Sequence, residues 1–184
     1  MKNIVLIGPR AAGKSKLARN LHKTIGYESL STDTLLQYEC GGLTIPQFIE
    51  KQNGDWQAFR DLEYDVLKKV TKMQSIILDC GGGIVVDLDK NGKEIFSNRK
   101  AKLLIKKSIV VYLNANLQWL YKKIKKDPSR PILSRQSSFI NMMETRHEWY
   151  SDVANITIDS TEKKGETLAM ELYHILRTKR EVLF

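Results

Sequence analysis

Ile4-Val5-Leu6-Ile7-Gly8-Pro9-Arg10-Ala11-Ala12-Gly13-Lys14-Ser15 decides how the rest of the chain is read. Four apolar residues in a row, two of them isoleucine and one valine, predict a buried strand. Gly8 to Ser15 then satisfies the pattern G-x-x-x-x-G-K-[ST]. In that pattern backbone N–H groups wrap phosphate oxygens, the lysine reaches the β and γ phosphates, and the hydroxyl ligates Mg²⁺. Leu17, Ala18, Leu21 and Ile25 follow at helical spacing. A helix opening at Lys14 turns the positive end of its dipole toward bound phosphate. Strand, glycine-rich loop and helix in this order predict an ATP- and Mg²⁺-binding site. Its phosphate contacts are Gly8, Arg10, Ala11, Ala12, Gly13, Lys14, Ser15 and Lys16, with Ser15 on the metal.

Outward from this motif, apolar runs recur at 3–7, 27–30, 75–78, 108–113 and 154–158. They are continuous rather than alternating, as parallel strands covered on both faces are. Amphipathic stretches at 14–25, 56–72, 117–126, 139–150 and 166–177 separate them. The alternation predicts a doubly wound α/β sheet in one domain spanning residues 1–184. With 42% hydrophobic and 28% charged residues the composition is that of a soluble globular protein. No apolar run reaches the roughly 18 residues of a membrane span. The opening apolar run is too short for a secretory signal, so the chain is expected in the cytoplasm. Nothing in the sequence calls for an obligate interface, and a monomer is expected. Cys40 and Cys80 have no metal-type spacing and read as free thiols.

The net charge is +9, and between positions 99 and 126 nine basic residues occur without an acid. Such a patch raises the question of nucleic acid. Tyr112, Trp119 and Tyr121 in that stretch form no nucleic-acid-reading motif, so no nucleic-acid partner is expected. The stretch reads as a solvated lysine-rich face beside a site for anionic substrates. Asp87-Leu88-Asp89-Lys90-Asn91-Gly92 copies the first half of a calcium loop, but Asn98 stands where a bidentate Glu is required. It reads as a surface turn in an extended loop.

The later segments indicate what receives the phosphate. Ser31-Thr32-Asp33 is similar to an Asp-Thr-Asp or Asp-Ser-Asp motif, and Gly42-Leu43-Thr44-Ile45 to a Gly-x-[ST]-[IV] helix start. Phe59-Arg60-Asp61-Leu62-Glu63 resembles Phe-Arg-x-x-Glu, and Gly81-Gly82-Gly83 a triple glycine after the third strand. Val110-Val111-Tyr112-Leu113, Arg130-Pro131-Ile132-Leu133 and Arg146 with Tyr150 four residues on complete the series. In this order and at these separations they resemble the shikimate kinases over nearly the whole chain. The resemblance implies a three-layer P-loop NTPase fold with a five-stranded parallel sheet, a substrate-binding segment at about 33–60 and a mobile lid at about 126–137. It implies phosphorylation of the 3-hydroxyl of shikimate by ATP with Mg²⁺.

That reading assigns a role to each group. Asp33 positions the attacking hydroxyl and accepts its proton, the alternative being a helix N-cap. Lys14 and Arg130 neutralise the transferring phosphoryl group, Arg130 from a lid loop broken by Pro128 and Pro131. Arg60 and Arg146 clamp the substrate carboxylate through their planar forks, although each alone could be a helix-surface arginine. Gly81, Gly82 and Gly83 let backbone approach the substrate ring. Lys123 falls where the family often stacks an arginine on adenine. Ser31 replaces the usual first acid of the Asp-x-Asp motif, which removes a carboxylate from the water shell of Mg²⁺. Asp79, ending an apolar strand, could replace it through water, or could instead cap a loop or pair with a basic group. Other acceptors of the same fold, gluconate or a nucleoside monophosphate, and a catalytically idle nucleotide-binding regulator are the alternatives.

Overall fold

Residues 2–125 and 136–179 are described by the structure, a computed structural model. The elements run β1 (Asn3–Ile7), α1 (Lys14–Ile25), β2 (Glu28–Ser31), α2 (Thr32–Glu39), α3 (Ile45–Lys51), α4 (Trp56–Val70) and β3 (Ile76–Asp79). They continue as β4 (Val86–Leu88), β5 (Glu94–Phe96), α5 (Asn98–Ile105), β6 (Ser108–Asn114), α6 (Leu117–Lys125), α7 (Gln136–Val153), β7 (Ile156–Asp159) and α8 (Gly165–Thr178). Five strands form one sheet in the order β2-β3-β1-β6-β7, and every pairing in it is parallel.

Successive side chains of a strand point to opposite faces, and β1 shows the result. Ile4 and Leu6 join Leu17, Leu21, Val111, Leu168 and Leu172 in the core beneath α1 and α8. Val5 and Ile7 join Leu67, Leu78, Val110, Leu104 and Tyr150 in the core beneath α4, α5 and α7. Because both faces are covered, β1 is apolar from Ile4 to Ile7. A third cluster, Leu36, Ile49, Phe59 and Val66, ties α2 and α3 to α4. This cluster builds the segment expected at about 33–60.

Local signals set the helix ends. Thr44 and Gln47 form a reciprocal capping box ahead of α3, and Asp55 caps α4 through the N–H groups of Gln57 and Ala58. α1 ends on Gly26 in the left-handed region. Ser31, and not Asp33, is the N-cap of α2: its hydroxyl accepts from Thr34 N. The capping role that the sequence left open for Asp33 thus falls to Ser31.

Two sequence expectations need correction. The stretch after the triple glycine is not an irregular loop but a two-stranded antiparallel hairpin, β4–β5, followed by α5. The basic run starting at 99 is not wholly a solvated face either. Lys100 is fully buried on α5 and Arg99 is bound to Asp61 and Asp87, because α5 packs against α4 and the base of the hairpin.

β1 hands over to the loop at Gly8, where φ is 135° and a Cβ would lie 2.5 Å from the carbonyl oxygen of Leu113. That oxygen belongs to the central sheet and cannot retreat. Gly8→Ala should therefore lower stability by about 1–3 kcal/mol from backbone strain alone, with the steric overlap adding to it. Urea unfolding of the two proteins measures the difference, and a variant as stable as the parent would contradict this packing.

Candidate active site

The loop between β1 and α1 is shaped by three left-handed residues: Gly8, Ala11 at φ 66° and Gly13 at φ 102°. Gly13 is the N-cap of α1 and offers no side-chain acceptor, so the first-turn N–H groups of the helix stay directed at the loop. Lys14 is buried, and its Nζ donates to the carbonyls of Gly8 and Pro9, both at 2.9 Å. Lys123 reaches across from α6 and donates to the Ala11 carbonyl at 2.8 Å, with its ammonium 4.0 Å from the centre of the Trp119 ring. Burial, reinforced by Lys16, lowers the pKa of Lys123. Beside it a cavity of about 420 Å³ opens between Gly13, Lys16, Trp119, Lys123, Lys164 and Gly165. This is the side on which the nucleotide base is expected.

On the other side of α1, a groove of about 350 Å³ runs past Ser15, Ser31 and Asp79. Ser31 and Asp79 are register partners across β2 and β3, and Asp79 is also paired with Leu6 of β1. The Ser15 hydroxyl and the charge of Lys14 both favour the ionised form of the Asp79 carboxyl. Burial nevertheless dominates and raises its pKa above the ordinary aspartate value. A hydroxyl and a carboxylate side by side are oxygen donors suited to a hard cation. Among the described residues no cluster of three or more potential metal-binding side chains exists. These oxygen donors fit Mg²⁺, which keeps several waters and takes its other ligands from phosphates.

The triple glycine ends β3 and separates the phosphate loop from the arginines. A Cβ on Gly81 would lie 2.5 Å from Asp33 Oδ1, one on Gly82 3.2 Å from Arg10 N, and one on Gly83 2.6 Å from Arg60 Nη1. Each glycine thus makes room for a different functional group. The space is taken by the protein's own Asp33, Arg10 and Arg60. Thr32 adds a tether, its hydroxyl accepting from Gly81 N at 2.9 Å.

Arg60 and Arg146 approach the same strip of backbone. Arg60 Nη1 lies 3.5 Å from the Gly83 carbonyl and Arg146 Nη1 lies 3.4 Å from the Gly82 carbonyl. Arg60 also donates to Glu63 at 2.8 Å, and its Nε is buried with no acceptor among the described residues. Glu63 takes a second bond from the buried Lys100 at 2.9 Å, and the Lys100 ammonium also donates to the Val86 carbonyl. Burial lowers the Lys100 pKa although Glu63 works against this. Arg146 presents Nε and Nη2 to the two oxygens of Glu94 on β5, with Nε–Oε2 at 3.0 Å. Burial opposes the charge of Arg146, but the Glu94 bond more than offsets it and the pKa is raised. Tyr150, one turn further along α7, donates to the Gly82 carbonyl, and burial pushes its pKa up to about 12.

A profile of the family described as Shikimate kinase matches residues 10–177. The chain belongs to the shikimate kinase family. A shikimate kinase of Leptospira borgpetersenii serovar Hardjo-bovis (strain JB197) is 43% identical over 173 residues, covering 94% of this chain and 97% of that one. One of Enterococcus faecalis (strain ATCC 700802 / V583) is 35% identical over 181 residues, covering 96% and 99%. The solved structure of the shikimate kinase from Acinetobacter baumannii in complex with shikimate is similar at a TM-score of 0.83 and 26% identity, covering 99% of this chain and 96% of that one. Membership makes the chain an enzyme, a kinase that draws its phosphoryl group from ATP.

Within this shikimate kinase fold the predicted residues fall into two groups. Gly8, Arg10, Ala11, Ala12, Gly13, Lys14, Ser15, Lys16, Lys123 and Asp79 surround the phosphate loop, and Asp33, Arg60, Arg146 and Gly81–Gly83 gather at the end of β3. Arg130 and the expected lid lie outside the described residues. The half calcium loop is accounted for: Asp87 accepts from Ser97 and Arg99, and Asp89 closes the hairpin turn through the N–H groups of Asn91 and Lys93. Sequence reasoning missed Glu94 and Lys100 as members of the site's surroundings. Glu63 was legible only as the last residue of Phe-Arg-x-x-Glu.

The raised pKa of Asp79 has a stability consequence. An acid that ionises less readily when folded than when unfolded penalises the folded state as pH rises through its unfolded value of about 3.9. Asp79→Asn removes that charge. The metal- and nucleotide-free variant should gain in melting temperature over the parent as pH is raised from 4 to 7. A gap that closes or reverses over this range would mean that the carboxylate is stabilised rather than strained by its surroundings.

Proposed function

We propose that the site phosphorylates the 3-hydroxyl of shikimate, with ATP spanning the phosphate loop and the acceptor held at the end of β3. One observation carries the reading: Arg60 and Arg146, from different helices, meet at successive carbonyls of the triple glycine, next to Asp33. Two guanidinium groups meeting at one strip of backbone suit a carboxylate, and a carboxylate base beside them suits a hydroxyl. The acceptor is thereby anchored by one end and activated at the other.

In the proposed reaction the acceptor oxygen attacks the γ-phosphorus and the bond to the β–γ bridging oxygen breaks. The hydroxyl proton passes to the Asp33 carboxylate, and ADP leaves. Lys14 shifts from the Gly8 and Pro9 carbonyls to the phosphates, where it offsets the developing charge, and α1 contributes its N-terminal amides. Mg²⁺, when bound, would supply positive charge that offsets that of the phosphates. Ser15 would ligate it directly and Asp79 would hold its water, in place of the acid that Ser31 does not supply. Arg130 would close over the phosphates from the lid. Lys123 would stand at the base-binding end.

The reading extends to a single-domain, monomeric, cytoplasmic enzyme with no nucleic-acid or membrane partner. Among the described residues no helix is long and apolar enough to cross a membrane.

The acceptor is tested by coupled ADP release. Shikimate should stimulate it, whereas gluconate, AMP and CMP should leave it at background. Comparable turnover with any of those three would replace the assignment with another acceptor class. Asp33→Asn should lower kcat by about 10²–10⁴-fold, the span of general-base contributions, with ATP affinity unchanged by calorimetry. Near-normal turnover in that variant would move the base elsewhere.

A further inference from the structure

Arg60 and Arg146 each place Nη1 at a glycine carbonyl, but Glu63 binds that same Nη1 of Arg60 whereas Glu94 binds the opposite edge of Arg146, and the difference assigns a role to a residue outside every motif read above. Arg60 places Nη1 at a glycine carbonyl and is bound by the carboxylate of Glu63. Arg146 likewise places Nη1 at a glycine carbonyl, and its opposite edge, Nε with Nη2, is bound by both oxygens of Glu94. Glu63 comes from the same helix as its arginine, three residues on. Glu94 comes from the β4–β5 hairpin, 52 residues earlier in the chain.

We propose that Glu94 is a positioning residue for the acceptor site: it grips the far edge of Arg146 and so aims the Nη1 edge at the substrate carboxylate. The inference rests on the reading of Arg146 as a carboxylate contact. Four features support it. A side-on grip on Nε and Nη2 fixes the plane of a guanidinium, which a single bond does not. The hairpin is itself fixed relative to α7, since Phe96, two residues along β5, contacts Trp149, three residues along α7, with ring centres 6.4 Å apart. Its base is fastened to α5 by Asp87, which accepts from Ser97 and from both Nε and Nη2 of Arg99. The hairpin follows the triple glycine directly, Val86 N donating to the Gly83 carbonyl at 2.9 Å. One continuous stretch of chain thus supplies both the glycines that Arg146 faces and the carboxylate that holds it from behind.

Charge alone predicts the opposite. Glu94 is an anion next to a site for an anion, so a purely Coulombic view has its removal strengthen acceptor binding. The Glu94 side chain is 32% exposed and that of Arg146 11%, so solvent screens Glu94 more than it does the guanidinium. Loss of the grip outweighs loss of the repulsion.

The experiment measures shikimate and ATP affinities by calorimetry, together with kcat and KM, for the parent, Glu94→Ala, Glu94→Gln and Arg146→Lys. Glu94→Ala should weaken shikimate binding roughly tenfold, the loss of one charged hydrogen bond, with ATP affinity and kcat at saturating shikimate retained. Glu94→Gln keeps the shape and one acceptor oxygen and should fall between. In an Arg146→Lys background Glu94→Ala should add nothing, because there is no fork left to orient. Unchanged or tighter shikimate binding in Glu94→Ala, beside a weakened Arg146→Lys, overturns the inference and leaves the arginine clamp standing. Unchanged binding in Arg146→Lys shows that the clamp itself is wrong, and the role of Glu94 falls with it. A loss of ATP affinity equal to that of shikimate in Glu94→Ala makes the contact a general structural one and likewise overturns it.

Discussion

Three consecutive positions without side chains, at the end of the strand beside β1, set the geometry of everything around them. Gly81, Gly82 and Gly83 are the only way that Asp33, the backbone of Arg10 and the guanidinium of Arg60 can all close on one another, since a Cβ at any of the three would lie at or inside the limit of contact. The phosphate loop is held against Gly82, the β2–α2 junction against Gly81, and α4 against Gly83. In the proposed reaction the two halves would therefore meet across a strip of bare backbone, and side-chain bulk there would separate them. The same strip supplies carbonyls to Arg60, Arg146 and Tyr150.

Behind the strip lies a chain of charges running from Arg60 through Glu63 to Lys100, and from there to Asp87 and Arg99. Burying such groups costs desolvation that their mutual attraction need not recover. The lowered pKa of Lys100 shows that burial outweighs its partners there. What the chain secures is orientation. Glu63 is fixed by a cation on either side, so Arg60 is held at the glycines by a partner that cannot turn away. Asp87 does the same for the hairpin base, its pKa lowered because the Arg99 and Ser97 bonds overcome its partial burial.

The fold was legible where periodicity and glycine coincide. The strand, loop and helix at Ile4–Ile25 were readable to the residue because a nucleotide loop tolerates few alternatives. β2 was read one residue short at its C-terminal end, since Ser31 is polar and an apolar pattern stops before it, whereas Asp79 was read as the end of its strand. Those two residues line the groove beside Ser15. The hairpin escaped because its strands are three residues long and its turn residues, Asp89, Asn91 and Gly92, carry the stronger local signal. Lys100 escaped for a different reason: a lysine among lysines reads as surface, and only the packing of α5 on α4 removes it from water. Glu94 carries no local signal at all, because its partner is set by tertiary structure. The triple glycine was seen, but its purpose could not be read along the chain, since the groups that need the space come from three other segments.

Ser31 and Asp79 face one another across neighbouring parallel strands, and an acidic side chain from either position reaches the same groove. If, as proposed, the site needs one carboxylate for the water shell of Mg²⁺, selection there is indifferent to which strand provides it. The two sites are then free to exchange the acid during divergence, provided that the gain on one strand precedes or accompanies the loss on the other. Substitutions at 31 and 79 should accordingly be correlated along lineages. A signature written along β2 alone will pass over chains whose chemistry is intact, whereas one written across the strands will recover them.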